Sequence, residues 1–320
     1  MPVEGVQTLD YFGYAGCLAL ENAGTRVVLG HHCGGRVLEY AWQGQNALYL
    51  DPAQAGWTYT PAPPDQVSAE RQRPERPVNP TGGRCDIGPE HVIPRHPMLW
   101  IGPWTAEAVG PRHARLASAD DPATGTRLVR DFTLDPATSR LTFTQTIINV
   151  SDHTTQCCHW GRTFARHGGI GIVPLTPGSR FPKGYVMYGP GPAINFRPDD
   201  PNIVRRGDFL EIRGVPQQPK LGFDSYAGWF AYLLPGDLLF VKRFATFPDR
   251  VYNEVAALTS CIYYPSDRFC ELEPIGPRES LAPGESAAFT EEWWLLPYRF
   301  PTAGEPLDLD DVAARVAAAR

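Results

Sequence analysis

Residues able to do acid–base chemistry gather in three places. The segment Leu141–Phe164, LTFTQTIINVSDHTTQCCHWGRTF, ends with His159, Trp160 and Arg162 among small or apolar residues. A titratable imidazole on a strand, beside an aromatic ring and a guanidinium, is what a polar-ligand site needs. A histidine filling a hydrogen-bonding slot in a sheet gives the same pattern, and on this stretch alone it is the commoner case. Further on, Glu271 and Glu273 stand at i, i+2 and share one face, with Leu272 on the other. Two like carboxylates a few Å apart raise the pKa of one, which suits a general base. A solvated acidic edge strand has the same spacing. The third group is Thr81–Trp104, TGGRCDIGPEHVIPRHPMLWIGPW, where Arg84, Glu90, His91, His96, Trp100 and Trp104 concentrate ligand-contacting chemistry. Glu291 and Glu292, before Trp293 and Trp294, read as surface and core respectively.

Each group needs an element to hold it. Along Leu141–Asn149, Leu141, Phe143, Gln145, Ile147 and Asn149 alternate with Thr142, Thr144, Thr146 and Ile148. That period of two, in β-branched and aromatic residues, predicts a strand. Asn149–Thr154 is turn chemistry, because Asn, Ser and Asp side chains bond their own backbone. The chain then returns as a strand over Gln156–Ala165. Other strands are expected at Cys17–Glu21, Arg26–Leu29, Arg36–Trp42 and Ala47–Leu50. More follow at Arg112–Ala119, Thr126–Leu134, Trp229–Leu234, Leu238–Phe244, Glu254–Tyr264, Phe269–Ile275 and Ser286–Leu296. Asp51–Pro103 is proline-rich without sustained periodicity, and a connection that long is a binding loop, a lid or disordered. Gly168–Pro192 reads as irregular and residues 193–220 as mixed polar. Only Leu307–Arg320 looks helical, with acids at its start and Arg315 and Arg320 towards its end. The pattern predicts one all-β domain over residues 10–300, with the long loop 51–103 bordering its cleft and a helical tail over 301–320.

Composition narrows the function. A net charge of -6 and a pI near 5.8, with no basic cluster, argue against a nucleic-acid surface. No apolar run approaches the roughly 20 residues of a membrane span. The first residues, MPVEGVQTLDYFGYAG, lack the basic and apolar regions of a signal peptide. The seven cysteines form no CxxC, and Cys157 and Cys158 are adjacent and so point to opposite faces of a strand. The chain therefore reads as reduced and cytoplasmic. No metal or other cofactor is expected, and the oligomeric state is left open.

The order of these signals resembles the galactose mutarotase-like β-supersandwich, the fold of the aldose 1-epimerases, and most of all a carbohydrate-associated branch of it. The matching pieces are Gly34-Gly35-Arg36-Val37-Leu38, Gly82-Gly83-Arg84, and the turn and strand leading to His159. They continue with Glu271-Leu272-Glu273-Pro274-Ile275-Gly276-Pro277 and Leu281-Ala282-Pro283-Gly284-Glu285. Together they run from about residue 16 to 297. The resemblance implies an antiparallel β-supersandwich and a sugar or oligosaccharide ligand. It implies His159 as the acid that protonates the ring oxygen and Glu273 as the base at the anomeric hydroxyl. It places Arg84 and His96, or else His91, near the sugar, with Arg162 and Glu271 also in contact and Trp100, Trp104 and Trp160 available to stack on a pyranose. Two departures stand out. Epimerases follow the histidine with an aromatic pair where this chain has Trp160-Gly161-Arg162, and they flank their glutamate differently. On a regular strand Arg162 also points away from His159. Three readings follow: an epimerase-like ring opener, a lyase using a His/Glu or His/Tyr pair, and a non-catalytic carbohydrate-binding module. An enzyme of the first kind requires His159 and Glu273 to face one pocket.

Overall fold

A computed structural model of the chain describes residues 3–60, 79–93, 97–189 and 193–319. The alternation along Leu141–Asn149 becomes an alternation of burial. Leu141, Phe143, Gln145, Ile147 and Asn149 are buried, and the residues between them are half-buried. The neighbouring strand Thr126–Leu134 carries the same pattern in register: Phe132 faces Phe143, Leu128 faces Ile147 and Arg130 faces Gln145. A slip of one residue would turn every one of these side chains to the other face, so the pattern specifies the pairing.

Two antiparallel sheets result, making the chain an all-β sandwich. One has ten strands among the described residues, with Leu238–Phe244, Ser286–Pro297 and Leu141–Asn149 in spatial order near its middle. The other has thirteen. At its centre lie Gly83–Gly88, Thr155–Arg166, Phe269–Pro274, Ser260–Tyr263 and Lys220–Phe223, again in spatial order. The space between the sheets is filled around Trp293, whose ring centroid lies 5.6 Å from those of Phe143 and Phe240 and 5.8 Å from that of Tyr40. The Tyr40 hydroxyl donates to the Trp293 carbonyl at 2.8 Å, so the polar end of this ring is satisfied.

Apart from the single turn Pro97–Trp100, the one α-helix among the described residues is Leu309–Ala318. Asp308 caps it by accepting from the Asp311 amide at 3.0 Å. Leu309, Val312 and Val316, spaced to share one face, pack on Leu233, Val241 and Trp294 outside the ten-stranded sheet. Arg243 donates to the Ala319 carbonyl at 2.6 Å at the far end. No helix among the described residues is long and apolar enough to cross a membrane.

The structure differs from the sequence expectation where short strands lie in Gly- and Pro-rich text. Gly83–Gly88 is a central strand inside the proline-rich stretch, paired with Thr155–Arg166 from Cys158↔Gly88 to Thr163↔Gly83. Ile170–Pro174 and Val186–Tyr188 are strands within the segment read as irregular. Ala47–Leu50 is not a strand; only Leu48 bridges to Ala165. Propensity is a weak guide for pieces of three to six residues, which exist because a neighbouring strand supplies their hydrogen bonds.

Candidate functional site

Strand alternation gives the central sheet an inner face, against the other sheet, and an outer face. Trp160 and Arg162 point outward, and so do Glu271 and Glu273 from the next strand and Arg84 and Asp86 from the strand on the other side. Register brings them together. Arg84 stands opposite Arg162, Glu271 opposite Tyr263, and Tyr263 opposite Lys220. A charged row thus crosses five strands.

Its contacts are close. Arg162 grips Glu271 with two nitrogens, at 2.7 and 3.3 Å. Arg84 donates to Asp86 at 2.8 Å, to Asn79 Oδ1 at 3.0 Å and to the Pro80 carbonyl. The centre of the Trp100 ring is 4.2 Å from the guanidinium of Arg84 and 4.9 Å from that of Arg162. Trp160 Nε1 donates to Glu273 Oε2 at 2.8 Å. Lys220 Nζ is 3.4 Å from the same oxygen and 2.8 Å from Glu90 Oε2. It also sits 4.4 Å from the Trp160 ring centre. The Glu271 and Glu273 side chains are fully buried, whereas those of Lys220 and Glu90 keep 14% and 19% of their exposure. Solvent therefore reaches the cluster from the Lys220 side.

The electrostatics single out Glu273. Burial pushes its carboxyl up; Lys220 opposes the shift, Glu271 adds to it, and the result is about 7. Burial works against the charged form of Lys220, but the Glu273 carboxylate and other neighbours outweigh it and raise the ammonium above its ordinary value. For Arg162, burial is likewise outweighed, chiefly by Glu271. Two buried atoms in this cluster lack a hydrogen-bond partner among the described residues: Arg162 Nη1, a donor, and Glu273 Oε1, an acceptor. Such atoms are costly unless a ligand or water completes them.

The placement of the sequence-predicted residues is mixed. Arg84, Trp160, Arg162, Glu271 and Glu273 come together. His159 does not join them. It points inward, fully buried, its ring 5.6 Å from that of Phe289 on the opposing sheet. Neither ring nitrogen has a well-formed partner among the described residues, and burial pushes its pKa down to about 4. The expectation that His159 and Glu273 face one pocket is therefore corrected: residues 159 and 160 of a regular strand take opposite faces, and Glu273 is bonded to Trp160. Trp104 is also corrected. It is 4% exposed, its ring 4.2 Å from the Arg130 guanidinium and packed so closely on Gly35 that a Cβ there would meet it at 2.4 Å. Trp100 and Trp160 have ring faces engaged by Arg84, Arg162 and Lys220 and support the cluster instead of offering open stacking surfaces. His91 is exposed on the turn after Glu90. His96 lies outside the described residues. Glu291, expected at the surface, is buried against Lys242.

Asp86, Glu90, Lys220 and Tyr263 were not foreseen as a set. Asp86 had a signal, since it stands at i+2 from Arg84 and so shares its face. Lys220 had none in its polar stretch. Open grooves of about 540 and 660 Å³ run along the C-terminal segment, beside Arg315 and beside Arg206, but no buried titratable group lines them.

No family model and no curated protein matches the chain. Solved structures match it in fold. The Slr1438 protein from Synechocystis sp. PCC 6803 superposes with a TM-score of 0.59 at 14% identity, over 91% of this chain and 99% of that one. A galactose mutarotase-like protein from Lactobacillus casei gives 0.58 at 11% identity, over 88% and 100%. A putative aldose 1-epimerase from Escherichia coli K12 gives 0.54 at 14% identity, over 87% and 98%. The chain therefore has the galactose mutarotase-like fold that its sequence landmarks resemble.

Proposed function

We propose that this chain is a carbohydrate-active enzyme that opens and recloses a sugar ring at the outer-face cluster, with Glu273 as base and Lys220 as acid. Glu273 is the observation that carries this reading. Its carboxyl is poised at about 7, one oxygen is held by Trp160 and Lys220, and the other has no donor among the described residues. A base with a pKa near the working pH suits abstraction of an anomeric hydroxyl proton.

In the proposed step, Glu273 Oε1 takes the proton from O1. The freed O–H pair forms the C1=O1 bond, the C1–O5 bond breaks with its pair going to O5, and O5 takes a proton from Lys220. The two transfers assist each other. Burial disfavours the Lys220 charge, and the Glu273 carboxylate is the foremost group opposing that. Once Glu273 is protonated, the ammonium releases its proton more readily. Rotation about C1–C2 and the reverse sequence give the other anomer and restore both residues. In this reading Arg162 Nη1, which has no partner among the described residues, donates to a sugar hydroxyl. The cations Arg84, Arg130, Arg162 and Lys220 are matched by Asp86, Glu271, Glu90 and Glu273 among the described residues. With no surplus cation to hold a phosphate or carboxylate, the cluster favours a neutral sugar.

The test is anomer exchange measured by NMR over a panel of neutral aldoses, uronic acids and unsaturated oligosaccharides. Exchange of neutral sugars above the buffer rate, rising as pH passes about 7, is the expected result. Binding without exchange or cleavage would assign the chain to the carbohydrate-binding modules, and cleavage would favour a lyase.

A further inference from the structure

The turn that begins at Asn253 lies over the same outer face and takes no part in the step above. Its Glu254 is 2% exposed. Oε2 accepts from the Glu90 amide at 3.0 Å, while Oε1 is buried with no partner among the described residues. Asn253 Oδ1 is buried and unpartnered in the same way. Glu90 thereby links two carboxylates, its amide on Glu254 and its own carboxylate on Lys220, which in turn faces Glu273. The charges of Glu254 and Glu273 are both felt at Tyr188 and Cys261, on the strands that floor this region.

The backbone is held in place to present these groups. Ala256 and Ala257 are consecutive non-glycine residues with φ of 56° and 53°, a left-handed conformation that L-residues avoid. Arg180 secures them by donating to both carbonyls at 2.9 Å.

The chemistry of the unpartnered atoms selects the ligand. Both are acceptors, so they call for O–H or N–H donors, and the Glu254 carboxylate itself repels a carboxylate or phosphate. No three His, Cys, Asp or Glu groups among the described residues converge to hold a metal ion. We infer that Asn253 and Glu254 form a second subsite that accepts hydrogen bonds from hydroxyls of the bound sugar and so decides which sugar is taken. The inference rests on the proposed reading for where the sugar lies, but not for the chemistry done to it.

A cycle between protein and ligand tests it. Dissociation constants for glucose, galactose and their single-deoxy derivatives would be measured by NMR titration for the wild type and for Glu254→Gln. A hydrogen bond to a charged group is expected to make one deoxy derivative bind the wild type roughly tenfold or more weaker than its parent. In Glu254→Gln that difference should shrink to within about threefold, because an amide oxygen accepts without the charge that strengthens the carboxylate's bond. Equal losses in both proteins would overturn the subsite. If no sugar binds the wild type, subsite and proposed function fall together. If sugars bind without exchanging anomers, only the ring-opening reading falls, and the cycle still decides the subsite. Should Glu254→Gln fail to fold, Asn253→Ala run through the same cycle decides the matter.

Discussion

The two faces of the Thr155–Arg166 strand both bury ionisable groups, and only one of them is fit for chemistry. On the inner face, Lys242 and Glu291 pair at 2.8 Å with side chains 0% and 2% exposed. Lys242 also donates to Thr163 Oγ1 at 2.9 Å and to the Leu272 carbonyl at 3.3 Å, and Trp293 donates to Glu291 at 2.7 Å. Gly161 makes room for this pair, since a Cβ there would lie 2.3 Å from Glu291 Oε1. On the outer face, Arg162, Glu271, Glu273 and Lys220 form a comparable network that reaches solvent beside Glu90. Unpartnered buried atoms occur on both faces, at His159 and Glu291 within and at Arg162 and Glu273 without. Burial and an orphaned atom are therefore not enough to mark a site. The difference is a path to solvent joined to an acid and a base whose proton affinities depend on each other.

Removing the outer base should have the largest effect. Glu273→Gln keeps the shape and should lower anomer exchange by about 10²–10⁴, the usual cost of one positioned acid or base. An unchanged rate would place the chemistry elsewhere. On the inner face the loss should be of stability. Lys242→Met leaves Glu291 charged, buried and uncompensated, which costs about 3–5 kcal/mol, read as a lower denaturant midpoint. Pairing it with Glu291→Leu should recover most of that loss. If the single variant is as stable as the wild type, the pair does not hold these strands together.

The comparison also shows what the sequence could disclose. Thr126–Leu134 and Leu141–Asn149 are legible residue by residue, because one buried face imposes a period of two. Arg36–Trp42, Trp229–Leu234 and Leu238–Phe244 are buried on both faces and are legible instead as short runs rich in apolar and aromatic residues. The same rule puts Glu271 with Glu273 and sets Arg162 apart from His159. It cannot say which strand lies alongside. Glu90 and Lys220 are 130 residues apart and meet only because a turn and a four-residue strand converge on the outer face. Nor could spacing reveal that burial, ahead of Glu271, is what raises Glu273. The resemblance pointed to a histidine at 159, but the choice between faces rests on the opposing sheet, where Phe289 lies against its ring.

The two faces should leave opposite marks on the pH dependence of stability. His159 is pushed down to about 4 in the fold, against about 6.5 when unfolded. Between these values the unfolded chain binds more protons, so stability is lost as pH falls, by roughly 3 kcal/mol in all. Glu273 is pushed up to about 7 from an ordinary value of about 4.3. Here the native state binds more protons, so stability is lost as pH rises across that window, again by roughly 3 kcal/mol. The contributions oppose each other in the wild type, and each variant should unmask the other. Urea titrations from pH 4 to 8 should show His159→Leu weakening as pH rises and Glu273→Gln weakening as pH falls. Parallel curves for the two variants would contradict the assignment.

The smallest expected effect separates two adjacent residues. Trp160 Nε1 donates to Glu273, a hydrogen bond that favours the ionised carboxylate. Trp160→Phe keeps an aromatic ring there but removes the donor, so the Glu273 carboxyl should move further up. A hydrogen bond to a charged group contributes about 1.5 kcal/mol, or roughly one pH unit. The inflection of the exchange rate should then rise by about one unit, with roughly tenfold less activity well below pH 7 and recovery at higher pH. His159→Leu, one residue away on the opposite face, should leave the inflection where it is. The rate–pH profiles of these two variants, measured side by side, put the face assignment to its narrowest test. If His159→Leu moves the inflection and Trp160→Phe does not, the base lies on the inner face after all.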